Sequence, residues 1–170
     1  MNLKDKIRVI PDFPEKGIRF KDITTLLKDG EAFRYTIDKF VDELKDLDFD
    51  LIIGPESRGF IIGTPLAYAM KKGFVPVRKP GKLPSETIKY EYKLEYGSDS
   101  LEIHMDAIKP GQKVIIVDDL LATGGTIQST IKLVEQLGGE IVGLLFLIEL
   151  SYLNGRDLLK DYNIISLIRY

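Results

Sequence analysis

Two neighbouring carboxylates, Asp118 and Asp119, are followed within a few residues by Thr123, Gly124, Gly125 and Thr126. Side chains of this kind can accept hydrogen bonds from a vicinal diol or orient a metal-bound water. A glycine pair that opens a helical pattern presents unpaired backbone N–H groups, which suit a phosphate. The combination describes a site for a phosphorylated sugar, and a ribose 5-phosphate would satisfy both halves. The acids must stand on something rigid. Directly before them lie Val114, Ile115, Ile116 and Val117, four β-branched residues that suit a strand buried on both faces. Adjacent side chains leave a strand in opposite directions, so one acid is expected at the diol and the other at the loop or a water.

Other phosphate motifs do not fit. No Gly-x-x-x-x-Gly-Lys-Ser/Thr occurs, which excludes a Walker loop. A dinucleotide fingerprint needs Gly-x-Gly-x-x-Gly with an acid roughly 20 residues further on, whereas here the acids directly precede the glycines. A plain strand, turn and helix cap would need one short polar residue. It leaves the second carboxylate and the two threonines unexplained.

Composition narrows the remaining classes. With 170 residues, 44% apolar and 29% charged, the chain suits one domain with a substantial core, residues 1–170. A net charge of −2 with acids and bases interspersed argues against a nucleic-acid surface. The absence of cysteine excludes disulfides and thiolate chemistry, and a single histidine excludes a histidine-based zinc site. The beginning, Met-Asn-Leu-Lys-Asp-Lys-Ile-Arg, resembles neither a leader nor an anchor, and the apolar run Ile141 to Ile148 is too short to span a bilayer. A cytoplasmic protein with no membrane partner is expected.

The supporting elements follow from periodicity. Glu31 to Leu47 places Phe33, Ile37, Phe40, Val41, Leu44 and Leu47 at helical spacing. Phe49 to Gly54 reads as a strand, Phe60 to Lys72 as a helix with Pro65 near its start, and Phe74 to Arg78 as a further strand. Alternation resumes with the strand Val114 to Asp118, a helix carrying Ile127, Ile131, Val134 and Leu137, and a strand from Glu140 to Leu147. An α/β fold with a mainly parallel central sheet flanked by helices is expected. Between these units, Thr87 to Leu94 and Leu101 to Met105 are β-rich and suggest an antiparallel flap, and Lys79 to Pro84 suggests a mobile loop; together residues 79–105 form a flexible excursion.

In open parallel sheets ligands bind beyond the carboxyl ends of strands, where the topology reverses. Gly54 to Gly59 and Arg78 to Lys82 each follow a strand and can converge on the acids. Singly, Arg58, Arg78, Lys79 and Lys82 read as surface charges. Their shared position after strand ends favours binding of a polyanion such as pyrophosphate, with Mg2+ bridging ribose and pyrophosphate oxygens. His104, Tyr90, Tyr92 and Tyr96 read as ordinary strand residues.

The run from Val114 to Thr126 resembles the phosphoribosyl pyrophosphate (PRPP) motif of type I phosphoribosyltransferases. Three further strings, Pro11 to Pro14 with Gly17 to Thr24, Arg78 to Pro84, and Leu94 to Gly97, resemble the adenine-specific branch of that family, and the likeness runs from near Ile10 to at least Leu150. It implies transfer of a phosphoribosyl group from PRPP to N9 of adenine, with AMP and pyrophosphate as products, Mg2+ as cofactor and a homodimeric assembly. It also implies a small hood from residues 1–30 and the type I phosphoribosyltransferase fold. Phe20 would stack on adenine, Arg19 and Lys21 would read its edge through their backbone, and Leu150 would close the opposite face. Asp118 and Asp119 would hold the ribose, and Ala122, Thr123, Gly124, Gly125 and Thr126 the 5′-phosphate. Glu56, Ser57, Arg58, Arg78, Lys79 and Lys82 would receive pyrophosphate, with a cis peptide between Glu56 and Ser57. Glu95 would be the general acid or base, and Asp118 the one side chain offered to the metal. The sequence departs from the family pattern at Lys21, where arginine is commoner, and at Arg19, where an uncharged residue is usual. Two other readings remain at this point: a related enzyme for an oxopurine, and a PRPP-sensing regulator that binds nucleic acid.

Overall fold

The computed structural model describes residues 1–93 and 97–170. The chain opens with a two-stranded antiparallel sheet, β1 (Arg8–Pro11) and β2 (Arg19–Asp22), then a single helical turn α1 (Thr24–Leu27) and the long helix α2 (Gly30–Leu44). The α2 N-terminus is capped by Asp29, whose carboxylate accepts from the Ala32 N–H at 3.1 Å and from Lys6 Nζ at 2.7 Å. Next come β3 (Leu51–Pro55), α3 (Arg58–Met70) and β4 (Gly73–Val77). The helix starts earlier than the spacing suggests, so Pro65 lies in its interior. No side chain caps α3, which removed the local signal for its first turn.

The hairpin β5 (Thr87–Lys93) and β6 (Ser98–His104) precedes the acid-bearing strand β7 (Lys113–Leu121), followed by α4 (Gly125–Gln136), β8 (Glu140–Glu149) and β9 (Ile164–Arg169). The main sheet is parallel throughout, in the order β4-β3-β7-β8-β9. Neither the hairpin β1–β2 nor β9 was visible in the periodicity. β9 is half-buried along most of its length, and β1 and β2 have no fully apolar face.

Apolar side chains cover both faces of the sheet, as parallel strands require. On one face Phe40, Leu44, Ile62 and Leu66 from α2 and α3 pack against Ile52, Ile115 and Val117. On the other, Ile127, Ile131 and Val134 of α4 join Ile53, Ile116, Phe146 and two residues of the hairpin, Leu101 and Ile103. Leu101 and Ile103 are completely buried. The base of β6 is therefore core, and Arg78 and Glu102 exchange backbone hydrogen bonds at 3.0 and 2.7 Å. Within 79–105, Arg78-paired Glu102 and the buried Leu101 and Ile103 tie the hairpin to the core. Among the described residues no helix is long and apolar enough to cross a membrane.

Candidate active site

The sheet order dictates where a site must open. From β3 the chain goes next to β4 on one side, then returns to add β7 on the other, so the reversal falls between β3 and β7. These two strands pair only from Leu51 to Ile53, against Val114 to Ile116. Beyond that point they part. Their carboxyl ends lead into Glu56-Ser57-Arg58 and into Ala122 to Gly125, and these segments line a cavity of about 410 Å³ together with Asp118 and Asp119. The peptide between Glu56 and Ser57 is cis, as the resemblance implied.

The phosphate side of this cavity is built by backbone. Gly124 precedes α4 with φ of +90°, a conformation that costs most side chains strain, and it turns the first-turn N–H groups of the helix toward the opening. The first turn carries no acidic residue. Thr123 and Thr126 are exposed at its mouth. The N-terminus of a helix arranged in this way favours an anion.

The acidic side behaves differently from a pair serving two separate faces. Both carboxylates reach the same cavity, and the Asp119 N–H donates to Asp118 Oδ1 at 2.8 Å. Asp119 is buried and pairs with Arg58 Nε at 2.7 Å. Burial, and then the neighbouring Asp119 charge, push the Asp118 carboxyl well above the usual range. Burial also raises Asp119, against the opposing pull of Arg58. Two acids held this close share protons as a unit. In a wet, flat setting they would ionise normally, so the cavity stores unfavourable charge that a pair of donating hydroxyls would relieve.

The cationic candidates divide. Arg58 lines the cavity, whereas Arg78, Lys79 and Lys82 do not. They gather instead around Glu56, whose carboxylate accepts from Arg78 Nε at 3.2 Å, from the Lys79 N–H at 2.7 Å and from Lys82 Nζ at 3.0 Å. Burial opposes ionisation of Glu56, yet the donors around it hold its pKa below the ordinary value. The Lys79 ammonium pairs with Asp99, which also accepts from the Tyr92 hydroxyl at 3.1 Å. Tyr92 thus has a place in this network that its spacing did not reveal.

The base-facing candidates sit one step away. Phe20 on β2 packs edge-on against Phe13 with centroids 5.2 Å apart, and the Arg58 guanidinium lies 5.7 Å from its ring centre. Arg58 therefore joins Phe20 to Asp119. Leu150 follows β8 and donates its N–H to the Leu121 carbonyl at 2.9 Å, next to the cavity wall. Arg19 is exposed and Lys21 half-buried on either side of Phe20. Glu95 lies outside the described residues.

Two features were not foreseen. Gly155, in a short 3-10 helix spanning Gly155–Leu158, backs the phosphate loop so closely that a Cβ on Gly124 would sit 3.0 Å from its carbonyl oxygen. A Cβ on Gly155 itself would collide with the Ala122 carbonyl. The neighbouring Arg156 is fixed by a two-pronged pair with buried Glu149, at 2.6 and 2.8 Å. Only the tertiary fold brings these residues to the loop, so no local pattern announces them.

Comparison with known proteins agrees with this geometry. The family described as phosphoribosyl transferase domain matches residues 24–168. The adenine phosphoribosyltransferase of Alkaliphilus metalliredigens is 66% identical over 170 residues, all of both chains. This chain belongs to the adenine phosphoribosyltransferase family. The enzyme of that name from Clostridium perfringens is 64% identical over all of this chain and 99% of its own length. Among solved structures, adenine phosphoribosyltransferase from Thermoanaerobacter pseudethanolicus superposes with a TM-score of 0.96 at 61% identity, covering 99% of this chain and 98% of its own. The Saccharomyces cerevisiae enzyme, solved with an imino-altritol bisphosphate and adenine, gives 0.92 at 43% identity, covering 97% and 96%. The main sheet with its flanking helices is the fold of this family.

Proposed function

We propose that the chain transfers the 5-phosphoribosyl group of PRPP to N9 of adenine, giving AMP and pyrophosphate. The observation that carries this is one continuous cavity in which a half-buried and a buried carboxylate, the second paired with Arg58, lead directly into a helix N-terminus free of acids. A ribose 5-phosphate has hydroxyls for the first and an anion for the second. The family membership supplies the base, since the relatives are named for adenine.

Asp118 and Asp119 hold the ribose diol, and Ala122 to Thr126 hold the 5′-phosphate. Glu56, Ser57, Arg58, Arg78, Lys79 and Lys82 receive pyrophosphate, with Glu56 holding the Arg78 and Lys82 cations and the Lys79 backbone N–H. Adenine lies against Phe20, with Arg19 and Lys21 at its edge and Leu150 opposite. Glu95 is the acid or base near the reacting centre. The reaction passes through a transition state with oxocarbenium character at C1′, so no covalent nucleophile is required. The carboxylate pair places negative charge near the developing cation, and basic groups stabilise the departing pyrophosphate. Closure of the β5–β6 hairpin excludes water, whose attack on PRPP is the competing reaction.

Mg2+ fits this site only as a partner of the substrate. Among the described residues no three or more acidic, histidine or cysteine side chains come together to hold a metal, and Asp119 is committed to Arg58. Substrate oxygens and water would supply most of its ligands, with Asp118 as the protein carboxylate offered to it. When bound there it neutralises charge on the leaving group.

A homodimer is part of this reading. Ile61 and Tyr68, two turns apart on α3, are exposed, Tyr68 at 88%, and a second copy would cover them. Cysteine-free composition suits a reducing cytoplasm. Steady-state rates with PRPP and adenine, hypoxanthine or xanthine, with and without Mg2+, test the assignment. Adenine should be used far faster than either oxopurine and only with the metal; preference for an oxopurine would overturn it.

A further inference from the structure

Tyr170 stands where the two segments that face the base meet. Its N–H donates to the Glu149 carbonyl at 3.0 Å, and its own carbonyl accepts from the Ser151 N–H at 3.0 Å. The two bonds straddle Leu150. Its ring lies beneath Lys21, with Nζ 4.1 Å from the centroid, and Lys21 directly follows Phe20 on β2. Lys4 approaches the same ring, Nζ at 4.4 Å, while donating to the Arg169 carbonyl at 3.0 Å.

This arrangement has a cost that needs an explanation. Two ammonium groups converge on one residue, and burial, followed by the charges of Arg19 and Lys4, holds the Lys21 pKa below its ordinary value. An aromatic face is the group that offsets such crowding, because its negative quadrupole attracts both cations. The hairpin that carries Phe20 has no strand pairing with the main sheet. Two strands alone are marginally stable, so the position of Phe20 depends on side-chain anchors. At the far end of β2, Asp22 is tied to Arg8 and Thr24. Next to Phe20, Lys21 is anchored on the ring of Tyr170, the residue that directly follows β9.

We propose that Tyr170 is a positioning residue for base recognition, its backbone fixing Leu150 and its ring fixing Lys21, so that Phe20 and Leu150 keep the separation that admits a purine. The inference rests on the reading of Phe20 and Leu150 as the base-facing pair. Tyr170→Leu removes the ring and keeps the backbone bonds; Tyr170→Phe keeps both. In the full chain, Tyr170→Leu should raise the adenine KM roughly five- to tenfold, leaving the PRPP KM and kcat within about twofold. Tyr170→Phe should match the parent. An unchanged adenine KM in Tyr170→Leu, equal rises in both KM values, or a Tyr170→Phe variant as impaired as the leucine one would overturn the proposal. Amide hydrogen exchange over residues 19–22 gives a readout independent of turnover: it should quicken in Tyr170→Leu, and unchanged exchange would also overturn it. A parent enzyme inactive on adenine would instead refute the functional assignment, while the exchange result would still decide the role of Tyr170.

Discussion

Asp118 and Asp119 show how a binding site can be unfavourable to the protein that carries it. Each carboxyl has its pKa raised, chiefly by burial, so the folded chain holds protons more tightly there than the unfolded chain does. Stability from this pair therefore falls as pH rises from the ordinary carboxylate range through the folded pKa values. Replacing Asp118 with Asn removes a carboxyl whose ionisation desolvation and Asp119 oppose. The variant should melt roughly 2–4 °C higher than the parent while losing on the order of a hundredfold in kcat/KM. Thermal unfolding at neutral pH and steady-state assays check both halves. A variant that melts lower would show that the acid pair is a structural support and not a site under strain. In the same vein, the acidic limb of kcat/KM for the parent should lie above the usual carboxylate pKa of about 4.

Elements differ in how plainly the sequence announces them, and the reason is burial. The strand β7 could be read because a doubly covered parallel strand must be apolar and β-branched, so its two acids stand out at once. The loop after it could be read because a glycine with positive φ is demanded by its turn. The four cations after strand ends were legible as a group, but their partners were not: Glu56 and Asp99 are distant in sequence from the groups they hold. The strand β9 and the hairpin β1–β2 escaped because half-buried residues leave no clean period. Gly155 escaped for another reason, since its contact with the phosphate loop spans separate elements. It yields a test at this scale. Gly155→Ala places a methyl group against the Ala122 carbonyl and must push the loop toward the cavity. The PRPP KM should rise about tenfold with little change in the adenine KM, because the loop serves only the phosphate. Equal effects on both substrates would point to general loosening of the fold.

At the level of the whole molecule, the parallel sheet carries two hairpins that do not pair with it, and ion pairs fasten them. Asp22 fastens the β1–β2 hairpin: the Thr24 backbone N–H, then Arg8, lower its pKa to about 2. The Thr24 N–H lies at 2.9 Å and Arg8 Nε at 2.9 Å. A depressed carboxyl contributes stability that is fully present above the unfolded value near 4 and is lost as pH falls through about 2. Its contribution is on the order of 2 kcal/mol, so Asp22→Ala should lower stability by about that much at neutral pH and by much less near pH 2. Denaturant titrations at the two pH values measure the difference, and an equal loss at both would remove the carboxylate from the explanation. The central claim remains that one crevice, at the reversal between β3 and β7, grips a phosphorylated pentose. A crystal structure of the chain saturated with AMP tests it most directly. The ribose hydroxyls should meet Asp118 and Asp119, with the phosphate against the backbone N–H groups from Thr123 to Thr126. AMP bound elsewhere, or an empty crevice at saturating nucleotide, would contradict it.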